Sequence, residues 1–397
     1  MTTLKPWMPT LRPPKLPKRP FVSVCCVTFN RRPFIPFMLK CFQHQTYPRD
    51  KMELIIVDDG TDPIGDLVKD FPYIKYVRID NKMTLGAKRN LSHTYAIGDL
   101  IAYADDDDFY PSERIAHAVK MLQDTPKAWV AGSSEMHIFF KHIGRTVQFG
   151  PYGPNHATAA TFCFHKELLQ YTQYEETASI AEEKQFLKQY TIPMVQLDTL
   201  KTILVFSHMH NSFDKKVLLE EENKSPFIKP SPYTVDDFIS DPELKQFYMC
   251  DIDTYLRDYR PGDLTHKPDV VRQLNEIKEK RAKMASEMAA QMERNAAAQM
   301  QTNAAIQRIM MTRGGGPLLP PLPKPPHELM AENTEMEKKL AYLQKKIADM
   351  GGTVPPMASP QRHDIMSINA GLKAQMATLE AVLKEQIRLK IAERTSR

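Results

Sequence analysis

The feature that most constrains this chain is an alternation. Between residues 22 and 122, apolar runs of strand length are each followed by a helix-like segment: 22–27 then 34–44, 54–57 then 64–71, 76–79 then 85–95, 100–104 then 112–122. Runs that are apolar throughout belong to strands covered on both faces, and repeated strand–helix units build a mostly parallel sheet. The last helix is the clearest, because Ile115, Ala118, Val119 and Leu122 recur at helical spacing behind the start signal Pro111-Ser112. Further strands are expected at 129–132, 136–140, 161–164 and 203–206, and a helix around 180–190. The expected fold class is therefore α/β, a mostly parallel central sheet flanked by helices, with an α-helical, partly disordered tail behind it.

Composition sets the limits of that domain. Residues 1–20 hold six prolines and no apolar period, which predicts an extended leader. Residues 266–397 hold one aromatic, Tyr342, and 12 of the 22 methionines, too few large rigid side chains to close a globular core. The expected organisation is a leader at 1–20, a compact domain at 21–265, a helical segment at 266–313, a Gly/Pro linker at 314–327, a short coiled-coil-like helix at 328–350, a linker at 351–363 and a C-terminal helix at 364–397. In the second helix Leu329, Asn333, Met336, Leu340, Leu343, Ile347 and Met350 follow heptad spacing with one polar register residue. Ile368, Leu372, Met376, Leu379 and Leu383 offer a matching stripe, for an antiparallel hairpin or for self-association between chains.

Charge follows the same division. Residues 266–397 carry 21 Lys+Arg against 14 Asp+Glu, a net of +7, whereas residues 1–265 carry 32 against 34, a net of −2. The basic charges alternate with acidic ones instead of forming a block, which argues against nucleic acid as a partner. Five cysteines with no CxxC pair argue against a disulfide framework or a zinc site and for a reducing compartment. No apolar stretch near the N-terminus approaches the ~20 residues of a membrane span, so a soluble, cytoplasmic protein is expected.

In open parallel sheets ligands bind beyond the carboxyl ends of the strands. Here those ends read Thr28-Phe29-Asn30, Asp58-Asp59-Gly60-Thr61-Asp62, Asp80-Asn81 with Gly86-Ala87-Lys88-Arg89-Asn90, and Asp105-Asp106-Asp107-Asp108. Taken singly, each has a bland reading as a turn, a helix cap or a solvated helix face. Four successive carboxylates after a buried strand repel one another and lose solvation unless a cation or donors offset them, and a hard metal with oxygen ligands would do so. An EF-hand loop is excluded, since Tyr110 and Ala116 stand where Gly and Glu would be needed. Neither GxGxxG nor GxxxxGK[ST] is present.

The segments VSVCCVTFNRRPF, QTYP with MELIIVDDGTD, NKMTLGAKRNLSHTYAIGDLIAYADDDDFYPSERI and SIAEEKQFL resemble, in order and spacing, the family 2 inverting glycosyltransferases of the GT-A fold. Within that family the chain is most similar to enzymes encoded by large DNA viruses, which would place it in the host cytoplasm. The resemblance implies a nucleotide-sugar donor, UDP-sugar favoured, a glycan, protein or lipid acceptor, and Mn²⁺ or Mg²⁺ as cofactor. It implies that Thr28, Phe29 and Asn30 line the nucleoside pocket, that Asp59 accepts from the base edge, and that Arg89 lies near the nucleotide. Asp105 and Asp107 match the outer acids of the DxD motif, with Asp106 near the ribose and diphosphate and His208, or His210, able to reach the metal. Glu183 stands where the family has its catalytic base, with Glu182 beside it in place of the usual Glu-Asp pair.

Two readings compete with transfer. The domain would serve as a non-catalytic sugar-nucleotide or glycan-binding scaffold if the helical tail, as an assembly module, were the working part. Nucleotidyl transfer also uses carboxylates and a metal, but the chain lacks a Gly-rich or lysine motif for a triphosphate.

Overall fold

The structure, a computed structural model, describes residues 4–180, 183–212, 214–220, 225–312, 326–353, 355 and 365–395. Its strands are β1 (Val22–Thr28), β2 (Met52–Asp58), β3 (Ile74–Arg78), β4 (Leu100–Tyr103), β5 (Val130–Gly132), β6 (Met136–Phe140), β7 (Arg145–Phe149), β8 (Cys163–His165), β9 (Met194–Gln196), β10 (Leu204–Ser207) and β11 (Ile228–Pro230). Seven of them form one sheet in the order β3-β2-β1-β4-β8-β5-β9, in which only β8 runs against its neighbours among the described residues. The other four form a second sheet, β10-β6-β7-β11.

The helices are α1 (Ile35–Gln43), α2 (Gly65–Val68), α3 (Leu85–Tyr95), α4 (Arg114–Asp124), α5 (Glu183–Phe186), α6 (Val235–Phe238), α7 (Pro242–Gln246), α8 (Ile252–Asp258), α9 (Pro268–Thr312), α10 (Pro326–Asp349) and α11 (Ile365–Thr395). The large sheet is covered on both faces, which is why its strands read as unbroken apolar runs. In β2, Leu54 and Ile56 join Met38 and Leu39 of α1 and Ile115 and Leu122 of α4 on one face. Ile55 and Val57 join Ile101, Phe164, Tyr174 and Phe186 on the other. Chain composition thus closes two apolar layers around one sheet, as an α/β fold requires.

The structure differs from the sequence expectations in identifiable places. The expected helix over 180–190 is a single turn, α5, because Lys188, Gln189 and Tyr190 take φ of 49°, 57° and 63°, a left-handed run that no right-handed helix can enter. Strands β7, β9 and β11 had no sequence expectation: each is short, and β11 carries Pro230 at a sheet edge, where a missing N–H is tolerated. The proline-rich leader is extended and docked, with Trp7 edge-on to Trp129 and Tyr171, and with the Trp129 indole donating to the Leu11 carbonyl at 3.1 Å.

The chain divides into two compact units, Met1–Glu293 and Arg294–Arg397. In the second, Met336, Leu340, Leu343 and Ile347 of α10 bury against Leu372 and Leu379 of α11. The Asn369 amide donates to Asn333 at 2.7 Å, and Glu332–Lys373 and Lys339–Glu380 pair at 3.1 and 3.2 Å. Partner numbers rise together along the two helices, so α10 and α11 run in the same direction, not as the antiparallel hairpin that the stripes suggested. No helix among the described residues is long and apolar enough to cross a membrane.

Candidate functional site

The parallel strands β1, β2 and β4 deliver their carboxyl ends to one edge of the sheet. A cavity of about 340 Å³ opens there, lined among others by Phe29, Arg31, Lys82, Lys88, Arg89, Asp105, Asp106, Asp107, Asp108, Lys215, Lys267 and Asp269. Behind it the loop after β2 is rigid for a local reason. Buried Asp58 accepts from the Gly60 and Ile64 amides at 2.9 and 3.1 Å and from the Tyr76 hydroxyl at 2.7 Å.

Asp59 is turned inward. One carboxylate oxygen accepts from the Lys88 ammonium at 2.7 Å and the other from the Met83 amide at 2.6 Å, and its side chain has no exposed surface. Lys88 also donates to the Thr28 carbonyl at 3.2 Å, locking the end of β1 to α3. Arg89, one residue on, is buried with its guanidinium 4.4 Å from the Tyr103 ring centroid and 3.8 Å from an Asp105 oxygen.

The aspartates meet cations of the protein itself. Arg31 lies 3.5 Å from Asp106 and 3.4 Å from Asp107, and His208 Nε2 lies 3.1 Å from Asp107. Burial, reinforced by the charge of Asp107, pushes Asp106 up to about 7 and Asp108 well above the usual carboxylate range. Burial opposes ionisation of Asp107 too, but Arg31 and His208 outweigh it and hold that carboxyl well below its ordinary value. Burial draws His208 down to about 3, against the pull of Asp107, so this imidazole is neutral and a potential ligand. Lys267, just ahead of α9, is drawn down to about 7 by burial and by Arg31 nearby.

Of the residues singled out in the sequence, Phe29, Arg89, Asp105, Asp106 and Asp107 line the cavity together. Thr28 and Asp59 sit directly behind its wall through Lys88. Asn30, at φ 53°, accepts from the Asp62 amide at 3.1 Å and donates to the Pro261 carbonyl at 2.7 Å, tying loops together. Glu183 opens α5 shortly after the cavity-lining Ser179 and Ile180, and Glu182 lies outside the described residues. The His210 ring pairs with Asp263 at 3.2 Å, and its backbone amide donates to Nδ1 of His208 at 3.2 Å.

Sequence reasoning passed over Arg31, Lys88, Lys215, Lys267 and Asp269. Arg31 stands inside the FNRR segment and Lys88 inside GAKRN, where a buried partner was the missing information. Lys267 had no local signal at all, since it falls where the composition turns to that of the tail.

Among the described residues no three His, Cys, Asp or Glu side chains converge as a complete metal cage. Magnesium is commonly held by only one or two carboxylates together with phosphate oxygens of its ligand. Asp105, partly exposed in the cavity, and ionised Asp107 beside neutral His208 fit that donor set.

Fold and cavity together define an open α/β domain with a cavity lined by both cations and carboxylates at the carboxyl edge of its sheet. Residues 23–171 match the family model described as glycosyl transferase family 2. The chain is 30% identical over 105 residues to the uncharacterized glycosyltransferase YwdF of Bacillus subtilis, covering 26% of this chain and 38% of that protein. It is 32% identical over 106 residues to an uncharacterized glycosyltransferase of Rickettsia felis, covering 26% of this chain and 17% of that one. The chain therefore spans well under half the length of these curated relatives. Among solved structures it is similar to S. aureus TarS 1-349 in complex with UDP-GlcNAc, with a TM-score of 0.40 at 19% identity over 47% of this chain and 59% of that one. It is also similar to the mannosyltransferase PcManGT from Pyrobaculum calidifontis in complex with GDP-Man and Mn²⁺, with a TM-score of 0.37 at 19% identity over 49% and 61%.

Proposed function

We propose that this chain transfers a sugar from a nucleotide-sugar donor, UDP-sugar favoured, to an acceptor hydroxyl with inversion at the anomeric carbon, in a metal-dependent reaction in the cytoplasm, that of the host if the chain is viral. The observation that carries the reading is the cavity in which Phe29, Arg89 and Asp105 to Asp107 meet, all within the segment that the family 2 model matches.

The donor needs its base and ribose held, its departing diphosphate neutralised and its anomeric carbon presented to an acceptor. Phe29 offers an aromatic surface for the base, with the Thr28 backbone fixed behind it by Lys88. Asp106, raised to about 7 by burial and so protonated in about half of the molecules at neutral pH, is able in that form to donate to a ribose or phosphate oxygen. Asp105 and Asp107, with His208, would hold Mn²⁺ or Mg²⁺, whose chemistry is to stabilise negative charge developing on the diphosphate. Glu183, with Glu182 as its neighbour, would remove the acceptor proton, worth roughly 10² to 10⁴ in rate. Attack from the face opposite the leaving diphosphate gives inversion.

The test is a panel of UDP- and GDP-sugars with Mn²⁺ or Mg²⁺ and a range of acceptors, scored for nucleoside diphosphate release. Asp107→Ala is expected to lower the rate by at least about 10²-fold, the scale of losing a group that stabilises charge in the transition state. A wild-type rate no higher than that of Asp107→Ala on every donor overturns the reading.

A further inference from the structure

The cations lining the cavity are not equivalent. Lys88 is matched by Asp59 at 2.7 Å, Lys82 by Asp269 at 2.5 Å, Arg89 by Asp105 at 3.8 Å, and Arg31 by Asp106 and Asp107. Lys267 is only 6% exposed, yet no carboxylate of the described residues lies within 4 Å of its ammonium. One of its three N–H donors goes to the Ser212 hydroxyl at 2.9 Å, and its Nζ stands 6.0 Å from the centroid of the Phe29 ring. A buried ammonium with only a neutral partner is costly, and the cost disappears when an anion takes its free donors. Arg31, 4% exposed in the same wall, likewise has a buried Nη1 with no hydrogen-bond partner among the described residues.

Backbone around Lys267 is fixed, so its position is not incidental. Its carbonyl accepts from the Val271 amide at 3.1 Å. Asp269, two residues on, accepts from the Ser179 hydroxyl at 2.7 Å, and Gln273 accepts from the Ser179 amide at 2.8 Å. The start of α9 thus holds the lysine over the cavity and at the same time grips the loop that leads to Glu183.

We propose that Lys267, assisted by Nη1 of Arg31, is the residue that recognises the diphosphate of the nucleotide ligand. It lies well outside the segment matched by the family model. The inference rests on the nucleotide-sugar reading and assigns the diphosphate contact within it to a lysine at the head of the long helix.

The experiment is calorimetric titration of the full chain with UDP, GDP, uridine and guanosine, with and without Mg²⁺, for wild type, Lys267→Met and Lys267→Arg. The Met variant is expected to lose about tenfold to a hundredfold in affinity for the diphosphate that wild type binds, the scale of one charge-assisted hydrogen bond. Affinity for the matching nucleoside stays unchanged, and the Arg variant recovers most of the loss. Lys267→Gln is carried in parallel, and whichever variant keeps the wild-type melting curve is read. Unchanged diphosphate affinity in that variant, or an equal loss for nucleoside and diphosphate, overturns the assignment while leaving the nucleotide-sugar reading in place. A wild-type chain that binds neither diphosphate overturns both.

Discussion

A buried charge is tolerable only with its partner, and this chain shows how much a sequence conceals when partners come from distant segments. Taken by themselves Lys88 and Arg89 allow a solvated helix face, and only the resemblance placed Arg89 near a nucleotide, yet both are buried: one meets Asp59, 29 positions away, and the other covers Tyr103. The aspartate run implied an offsetting cation, which was legible; that Arg31 supplies part of the offset was not, because spacing along the chain does not show which side chains converge. His93 belongs to the same hidden class. It is buried, its Nε2 lies 2.6 Å from the Tyr103 hydroxyl, and burial, with the charge of Arg89 behind it, draws it down to about 3. In the unfolded chain the same imidazole titrates near its ordinary value of about 6.5. Between those values the unfolded state binds the extra proton, so the contribution of His93 is whole above about 6.5 and is lost as pH falls toward 3. Urea unfolding of wild type and His93→Gln from pH 7 to 4 is expected to show a wild-type slope steeper by about 1.4 kcal/mol per pH unit. Parallel slopes would mean that His93 is charged in the folded protein.

At the level of elements, strands covered on both faces and helices with a full apolar stripe were legible, because β1, β2, β4 and α4 announce themselves by burial alone. The short strands β7, β9 and β11 and the left-handed turn after α5 were not, since none of them carries a full apolar run. Contacts between elements were also out of reach, and Gly86 shows why they matter. It lies in the first turn of α3, donates its amide to the Ala178 carbonyl at 2.8 Å, and leaves no room for a side chain: an added Cβ would stand 2.0 Å from the Glu175 carbonyl oxygen. That approach joins the helix carrying Lys88 and Arg89 to the loop carrying Ser179. Gly86→Ala forces the two apart, and overpacking of this kind costs about 1–3 kcal/mol. Chemical denaturation should register that loss, together with weaker nucleotide binding; a fully stable variant would show that the loop moves aside freely. The α10–α11 seam teaches the same lesson, for the apolar stripes were visible whereas the direction of packing is set by specific pairs such as Asn333 with Asn369.

For the molecule as a whole, composition marked a change near residue 266, while contacts divide the chain at Glu293 and Arg294. The two differ because composition records where large apolar side chains stop, whereas the first turns of α9 attach through polar ones: Asp269 to Lys82 and Ser179, Gln273 to Ser179 and Thr177. Polar attachment leaves no apolar signature in the sequence. It also means that the cavity's wall is completed by residues on the far side of the compositional change, including Lys267, Asp269 and Val270. Two truncations separate these accounts. A chain ending at residue 293 keeps every contact of the first compact unit and is expected to bind nucleoside diphosphate with wild-type affinity and to retain the unfolding transition of that unit. A chain ending at residue 265 keeps the large sheet but loses Lys267 and the grip on the Ser179 loop. It is expected to fold, with the circular dichroism of an α/β domain, and to bind the diphosphate at least about tenfold more weakly, the scale of the lost charge-assisted contact. Equal affinities in the two truncations would show that the head of α9 takes no part in the site, and loss of binding in the longer one would place part of the site beyond residue 293.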